Sequence, residues 1–104
     1  MSKGYVILTE AIKDPEGMNA YAQAAAPAIG QGGCKTLAVD TNPRVVEGDW
    51  HGDQTVVLEF DSVEAARAWY ESERYQNAAK LRQAAADCNA LIIAGFGDGG
   101  LSQE

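Results

Sequence analysis

The sequence predicts an α+β fold in which four strands form one antiparallel sheet and two helices cover one of its faces. Three observations predict this fold: short segments with strand character, two segments with helical periodicity, and the order β-α-β-β-α-β that they follow. The chain has 104 residues, which suffices for one small domain. We expect residues 1–96 to form this domain and residues 97–104, which begin with Gly-Asp-Gly-Gly, to form a flexible tail.

The first strand is predicted at residues 4–12 and is apolar on both of its faces. Val6 and Leu8 point to one side of the sheet, whereas Tyr5 and Ile7 point to the other. Strands with this pattern are typically buried on both sides. We therefore expect protein to lie against both faces of this strand.

The first helix is predicted to begin at Asp14-Pro15-Glu16, because aspartate caps helices and proline suits the first helical position. The glycines among residues 30–33 predict the end of this helix. Residues 34–39 predict the second strand, and residues 44–49 predict a short strand or an extended arm.

The second half of the chain again combines strand, helix and strand. Residues 54–60 predict the third strand and residues 90–96 the last one. Between them, Asp61 or Ser62 can cap the second helix, and Ser72 is predicted to interrupt that helix and to cap its continuation. The order of all these segments predicts a ferredoxin-like βαββαβ fold.

The predicted architecture leaves one apolar face of the sheet without cover. Both helices lie against the opposite face, whereas Tyr5, Ile7, Val57 and part of residues 90–96 point away from them. Apolar patches of this kind usually mark an interaction site. The simplest cover is an identical sheet across a two-fold axis, so we expect a homodimer that packs sheet to sheet.

The charge of the chain argues against several classes of partner. Fifteen acidic residues and eight basic residues give a formal net charge of −7, which repels nucleic-acid backbones and anionic membrane surfaces. The sequence has no apolar run long enough to span a bilayer and no segment typical of a signal peptide. We therefore predict a cytoplasmic protein that binds neither nucleic acid nor membrane.

The sequence contains no pattern that predicts a metal or a cofactor. Cys34 and Cys88 do not form a CxxC pair, and the single histidine, His51, cannot complete a four-ligand zinc site with them. We interpret both cysteines as small buried residues in a reducing compartment. The glycines of residues 30–33 follow a helix and not a strand, which argues against a phosphate-binding loop. We predict no metal and no tightly bound cofactor.

Several segments together resemble a known bacterial family, called domain of unknown function 1330, over residues 4–96 of this chain. Asp61 departs from the family pattern, which usually has proline at this position. The segments that carry the resemblance are Gly4-Tyr5-Val6, Asp14-Pro15-Glu16, Tyr21, Pro27, Gly32-Gly33, residues 46–50, 55–60 and 62–72, Tyr75-Gln76 and Arg82.

This resemblance implies a dimeric α+β barrel, in agreement with the strand pattern. The superfamily includes cofactor-free monooxygenases, lactone isomerases, haem-degrading enzymes and small stress-response proteins. The family that the chain resembles has no established reaction, and a shared fold does not transfer a function. The reaction must therefore be argued from individual residues.

Arg82, Glu47 and His51 are the candidate catalytic residues. Arg82 shares a helical face with Tyr75, so we expect it inside the protein, where a cation needs a partner. It either clamps the carboxylate or enolate of a substrate or pairs with Glu47 or Glu59. Glu47, in the arm, is either a general base or a structural residue. His51 transfers protons, ligates a haem iron or is simply solvated in its loop.

Further residues could line a ligand pocket between the helices and the sheet, which we expect the arm to open. Most of them combine an apolar body with a hydroxyl or indole group. At helical spacing the same aromatic residues more often belong to a core, and a serine here is first of all typical of a helix cap. These residues are Tyr21, Tyr70, Tyr75, Trp69 and Ser72.

Three functional hypotheses follow from these residues. The first is a cofactor-free enzyme that acts on a small acidic organic molecule by proton transfer, isomerisation or oxygenation. The second is a small-molecule binder or stress-response protein that uses the same pocket without catalysis. The third is a structural dimer whose polar residues only pair with each other.

Overall fold

A computed structural model describes residues 2–96 and confirms the predicted α+β architecture. Its strands form one antiparallel four-stranded sheet in the order β2-β3-β1-β4. The predicted tail at residues 97–104 lies outside the described residues. The elements are β1 Gly4–Ile12, α1 Pro15–Gln31, β2 Lys35–Asp40, β3 Gln54–Phe60, α2 Val63–Glu71, α3 Glu73–Ala85 and β4 Ala86–Ala94.

Strand β1 lies at the centre of the sheet and sets the register of its neighbours. Val6 lies opposite Leu58 of β3 and Ile92 of β4. Because side chains alternate along a strand, Val6 and Leu8 point to the helices together with Glu10. One charged residue therefore lies on the buried face of the central strand.

The ends of α1 differ in detail from the prediction. Asp14 precedes the helix in an extended conformation, but its side chain makes no capping hydrogen bond. The helix continues past Gly30, and the N–H of Gly32 donates to the carbonyl of Ala28 at 3.0 Å. Gly33 then adopts a φ of 70°, which glycine tolerates best. The last two glycines end the helix, and the first one belongs to it.

Two serines divide the second helical region as predicted. The hydroxyl of Ser62 accepts a hydrogen bond from the N–H of Ala65 at 3.0 Å and so caps α2. Ser72 has extended backbone and caps α3 by accepting from the N–H of Tyr75 at 3.2 Å. Its hydroxyl also donates to the carbonyl of Trp69 at 2.7 Å. Ser72 therefore closes one helix and opens the next.

The last strand begins earlier than predicted. Strand β4 starts at Ala86, directly after α3, although Asp87 and Asn89 favour turns in isolation. These residues pair with the end of β1, where Asn89 lies opposite Thr9. The hydrogen bonds of the sheet therefore override the local preference for a turn.

Aromatic side chains form the centre of the core between the helices and the sheet. Trp69 packs against Phe60 and Tyr75, with ring centroids 5.2 Å and 4.0 Å away. The indole N–H of Trp69 donates to the carbonyl of Ala28 on α1 at 3.1 Å. This contact ties α2 to α1, so the three helices and the sheet share one core.

The opposite side of the sheet, which we call the open face, carries apolar side chains and no helix among the described residues. Leu91 and Ile93 are 50% and 45% exposed there. Across the sheet, Ile7 lies opposite Leu91 and also opposite Val57. Residues 41–53 form an irregular arm between β2 and β3. The centre of the open face is therefore apolar, as the strand pattern predicts, and polar side chains flank it.

None of the helices within residues 2–96 has both the length and the apolar character needed to cross a membrane.

Candidate functional site

A group of polar side chains lies buried between the helices and the end of β1. We call it the inner cluster. Strands β1 and β3 supply its carboxylate and amide, α1 supplies one tyrosine, and α3 supplies a second tyrosine and the cation. Long-range packing of four elements therefore assembles it. Its members are Glu10, Tyr21, Gln54, Tyr75 and Arg82.

Glu10 is the carboxylate of the inner cluster and is 0% exposed. Gln54 donates from Nε2 to Glu10 Oε1 at 2.6 Å, whereas Glu10 Oε2 is buried without a hydrogen-bond partner among the described residues. Burial raises the pKa of Glu10, and the bond from Gln54 and the charge of Arg82 oppose this rise only in part. The carboxyl group is therefore poised to exchange a proton closer to neutrality than an ordinary glutamate.

The backbone of Glu10 is held by the segment that leads into β3. The N–H of Asp53 donates to the carbonyl of Glu10 at 2.7 Å. Gly52 has a φ of 88° and packs so closely that an added Cβ would lie 2.6 Å from the carbonyl carbon of Glu10. Asp53 also accepts a hydrogen bond from the N–H of Ile12 at 3.0 Å. The position of Glu10 is thus fixed from its backbone as well as from Gln54.

Arg82 is the cation of the inner cluster and is 1% exposed. Its guanidinium carbon lies 5.9 Å from the centre of the Tyr21 ring, within the range of a cation–π contact. Its Nε and Nη2 atoms are buried without a hydrogen-bond partner among residues 2–96, although the Tyr75 hydroxyl and the Cys88 thiol interact with the Arg82 side chain. These two nitrogens form one edge of the guanidinium, and such an edge binds a carboxylate through two parallel hydrogen bonds.

The two tyrosines of the inner cluster are hydrogen-bonded to each other. The hydroxyl oxygens of Tyr21 and Tyr75 are 2.8 Å apart. Burial, together with the contact between the two residues, raises the pKa of Tyr21, and burial raises the pKa of Tyr75. Both hydroxyls therefore stay protonated. Because one bond uses one proton, the second hydroxyl proton is free to serve a ligand.

A pocket of about 290 Å³ opens at the surface beside the inner cluster, without Glu10 or Arg82 among its lining residues. Tyr21 and Gln54 line it, and both contact the buried members of the cluster. The arm was expected to open this pocket, but the other lining residues come from β1 and α1. They are Ile12, Pro15, Met18, Asn19 and Ala22.

The expected partners of Arg82 are wrong in this structure. Glu47 is exposed in the arm, where it lines a different pocket, and no hydrogen bond or ion pair joins it to Arg82 within the described chain. Glu59 points to the open face, where it accepts a hydrogen bond from the hydroxyl of Tyr5 at 3.0 Å. Glu10 is the carboxylate on which the charge of Arg82 acts, although no salt bridge joins the two among the described residues. Sequence reasoning missed it as a site residue.

His51 lies on the open face, away from the inner cluster. Its Nδ1 atom is 2.7 Å from the hydroxyl oxygen of Thr9, and its Nε2 atom is 3.7 Å from a carboxylate oxygen of Asp87. Thr9 and Glu10 are neighbours in β1, so their side chains point to opposite faces of the sheet. The structure therefore separates His51 from Arg82.

Of the remaining residues proposed to line a pocket, Trp69 contributes to the core, whereas half-buried Tyr70 also lines a separate pocket of about 280 Å³. Trp69 and Tyr70 pack against Tyr75, with the Tyr70 ring centroid 5.6 Å from that of Tyr75. Ser72 caps α3. Of this predicted set, only Tyr21 and Tyr75 belong to the inner cluster.

Within residues 2–96, no group of three or more histidine, cysteine, aspartate or glutamate side chains is placed to hold a metal ion. Cys34 and Cys88 are both half-buried and unpaired with each other. Cys88 lies beside the inner cluster, where its thiol contacts the carbonyl of Arg82 at 3.7 Å and burial raises its pKa. This thiol is therefore held in its protonated, unreactive form.

The fold and the inner cluster together define a small ferredoxin-like α+β protein with a buried glutamate and arginine. The chain belongs to the family described as Domain of unknown function (DUF1330), whose model matches residues 3–96. The resemblance seen in the sequence is thereby confirmed. A comparison with curated proteins finds no match.

Three solved structures illustrate the likeness in fold. A protein of unknown function from Rhodopseudomonas palustris has 21% identity and a TM-score of 0.74, over 91% of this chain and 83% of that one. A dimeric ferredoxin-like protein of unknown function from Thermobifida fusca has 16% identity and a TM-score of 0.63, over 89% and 91%. SnoaB, a cofactor-independent oxygenase from Streptomyces nogalater, has 9% identity and a TM-score of 0.64, over 89% and 92%. At these identities the likeness shows the fold alone.

Proposed function

We propose that this protein is a cofactor-independent enzyme that removes a proton from a small organic acid. One observation carries the proposal: Glu10 Oε2 and Arg82 Nε and Nη2 are buried with no hydrogen-bond partner in the part of the chain that the structure describes. A buried polar atom without a partner costs about 1–3 kcal/mol, and more when it is charged. A ligand that carries an acceptor for Arg82 and a proton for Glu10 removes this cost.

The chemistry follows from the groups of the inner cluster. The free edge of Arg82 binds the carboxylate of the substrate. Glu10 takes a proton from the carbon next to a carbonyl group, and the electrons of the broken C–H bond move onto the carbonyl oxygen. The spare hydroxyl proton of the Tyr21–Tyr75 pair donates a hydrogen bond to the enolate oxygen that forms. Isomerisation or oxygenation would begin with this same step.

The comparisons are compatible with cofactor-free chemistry. SnoaB, which shares the fold, is described as a cofactor-independent oxygenase. The fold can therefore house a reaction that proceeds without a cofactor, although fold alone does not assign one. The support for proton abstraction comes from Glu10 and Arg82.

The second part of the proposal is that the enzyme acts as a homodimer through its open face. The protein from Thermobifida fusca is described as dimeric and has the same fold. In this chain Leu91 and Ile93 are half exposed, and Tyr5 and Ile7 lie beside them in the register. A second copy would remove this apolar surface from water.

Hydrogen–deuterium exchange at carbon tests the reaction. Pyruvate and levulinate are incubated with the protein in D₂O, and loss of the signal from protons next to the carbonyl is followed by NMR. We expect Glu10→Gln to lower the protein-dependent exchange about 10²-fold or more, because it removes the base. Arg82→Lys keeps the charge but loses the planar edge, so we expect weaker binding of both acids.

Matched controls separate these roles from general effects of charge. Glu71→Gln and Arg67→Lys change exposed residues on α2 and should leave exchange unchanged. Circular dichroism checks that each variant is folded. Saturable binding that depends on Arg82, without exchange, would contradict the enzyme and support a non-catalytic binder. Equal exchange in wild type and Glu10→Gln would rule out Glu10 as the base.

A further inference from the structure

The surface pocket beside the inner cluster, which we call the outer pocket, shares a wall with that cluster. Tyr21 and Gln54 line this pocket, and each is hydrogen-bonded to a buried member of the cluster. Ile12 also lines it and follows Glu10 by two residues in β1, so both side chains point to the same face of the sheet, about 7 Å apart. A ligand held by the inner cluster therefore has space for its far end on the other side of Tyr21 and Gln54.

Apolar side chains form most of the outer pocket, and no charged residue lines it within the described part of the chain. Its apolar residues are Ile12, Pro15, Met18 and Ala22. Its polar side chains are two neutral amides and one hydroxyl. An apolar chain that enters this pocket gains about fourfold in affinity for each methylene group that leaves water completely.

The exposed charges next to the outer pocket are mainly negative. Four charged residues adjoin lining residues in the sequence, and three of them are acidic: Asp14, Glu16 and Asp53. The fourth is Lys13. A second carboxylate on a ligand would meet this excess of negative charge without a cation on the pocket wall. The outer pocket thus favours a ligand whose far end is uncharged.

The head of such a ligand has to be compact. Glu10 and Arg82 are 0% and 1% exposed, and neither lines the outer pocket. A 2-oxo acid has its carboxylate, its carbonyl oxygen and its acidic C–H bond on three consecutive carbons. A 4-oxo acid such as levulinate separates the carboxylate from the carbonyl group by two further carbons. The 2-oxo arrangement therefore presents all three groups in the smallest space.

We propose that the substrate of the inner cluster is a 2-oxo monoacid with a short apolar chain, and that this chain lies in the outer pocket. The inference rests on the proposed function, because it assigns the carboxylate to Arg82 and the C3 proton to Glu10. The chain leaves from C3 and passes Tyr21 and Gln54. The pocket volume of about 290 Å³ lies below the range of roughly 300–1,000 Å³ that is typical for drug-sized ligands, so the chain is short.

Isothermal titration calorimetry with a series of acids tests the proposal. The series is pyruvate, 2-oxobutyrate, 2-oxovalerate and 2-oxohexanoate. We expect the Kd to fall about two- to fourfold for each added methylene group, since part of the chain stays in contact with water. 2-Oxoglutarate has the carbon chain of 2-oxovalerate and a second carboxylate, so it should bind at least about tenfold more weakly. Levulinate, an isomer of 2-oxovalerate, should also bind more weakly.

Two variants of α1 test where the chain lies. Ala22 is exposed and lines the outer pocket, so Ala22→Leu fills part of the pocket from outside the core. We expect this variant to lose most of the gain in affinity from pyruvate to 2-oxohexanoate. Ala26→Leu makes the same change one turn further along α1, at an exposed residue that does not line the pocket, and should keep this gain. Circular dichroism checks that both variants are folded.

The outcomes separate this inference from the proposed reaction. A Kd that does not depend on chain length would overturn the inference, even where deuterium exchange confirms proton abstraction. Binding of 2-oxoglutarate as tight as that of 2-oxovalerate would overturn it too, as would an equal loss in Ala22→Leu and Ala26→Leu. Chain-dependent binding without exchange at C3 would support the ligand class and contradict the enzyme. Absence of binding by every acid would contradict both.

Discussion

The inner cluster and the open face break the usual pattern of burial in opposite ways. Inside, Glu10 and Arg82 are buried ionisable groups, and three of their polar atoms have no hydrogen-bond partner within residues 2–96. Outside, Leu91 and Ile93 are apolar and half exposed. A polar ligand would satisfy the buried atoms of the inner cluster. A second apolar surface would cover the open face.

The inner cluster and the open face also differ in the physical origin of their unfavourable free energy. An unpartnered buried polar atom costs free energy because it has lost water and gained nothing in return. An exposed apolar side chain costs about 25 cal/mol for each Å² that could be buried. Ligand binding relieves the first cost, and association relieves the second. Substitutions can therefore test the regions separately.

Removal of the buried cation should have the largest effect. Arg82→Met leaves Glu10 without the countercharge that partly offsets its burial, so we expect the free energy of unfolding to fall by about 3–5 kcal/mol at neutral pH. Urea denaturation monitored by circular dichroism measures this loss.

The double variant Glu10→Gln with Arg82→Met is the control for this prediction. It removes both charges, so we expect it to recover a large part of the lost stability. If the effects of Glu10→Gln and Arg82→Met on the free energy of unfolding simply add in the double variant, the two charges do not interact. The description of the inner cluster would then be wrong.

A charge on the open face should prevent association. Leu91→Asp places a carboxylate at the middle of the apolar register, opposite Ile7. Since every dimer contains the change twice, we expect association to weaken at least about 10²-fold, equivalent to roughly 3 kcal/mol. Light scattering at micromolar concentration should show half the mass of the wild type. The exposed Leu81→Asp on α3 is the control, and equal masses for wild type and Leu91→Asp would contradict the dimer.

Gly52 should be more sensitive to a methyl group than Gly30. Gly52→Ala introduces a Cβ at a φ of 88° and 2.6 Å from Glu10, so we expect a loss of about 1–3 kcal/mol. Gly30→Ala adds a Cβ inside α1 with no atom within 4 Å, so we expect a gain of about 0.5–1 kcal/mol. Thermal unfolding measures both, and an equal response would mean that residue 52 does not press on β1.

The pH dependence of stability should report on Glu10 with the smallest effect. Burial raises the pKa of Glu10 in the folded state, so this state keeps a proton that the unfolded chain loses first. As pH rises from the ordinary range of a glutamate through the raised pKa, Glu10 therefore lowers the free energy of unfolding. The free energy of unfolding of Glu10→Gln minus that of the wild type should increase over this pH range and be constant below it. Glu71→Gln should show no such change.

The fold was predictable from the sequence because the local preferences of most segments favour the same helices and strands that the tertiary structure contains. The alternation in β1 correctly assigned Val6 and Tyr5 to opposite faces, and the break at Ser72 was predicted from its capping ability. The start of β4 was missed, because Asp87 and Asn89 look like turn residues until β1 pairs with them. Local preference fails where a neighbouring strand supplies the hydrogen bonds.

The candidate site was less predictable, because its members meet only through long-range packing. The helical face of Tyr75 correctly predicted that Arg82 lies inside. The partner of this cation could not be deduced, since it depends on how α3 lies across β1. One signal was available: Glu10 shares the inward side of β1 with Val6 and Leu8, and a charge among apolar inward positions indicates a functional or paired residue.

The four residues from His51 to Gln54 contact both sides of β1. His51 bonds Thr9 on the open face, Gly52 and Asp53 hold the backbone of Glu10, and Gln54 bonds the Glu10 carboxylate beneath the helices. A substitution in this short stretch will therefore give a mixed phenotype. A mutational scan therefore cannot use residues 51–54 to separate the role of the inner cluster from that of the open face. Only substitutions outside this stretch can assign a defect to one of the two regions.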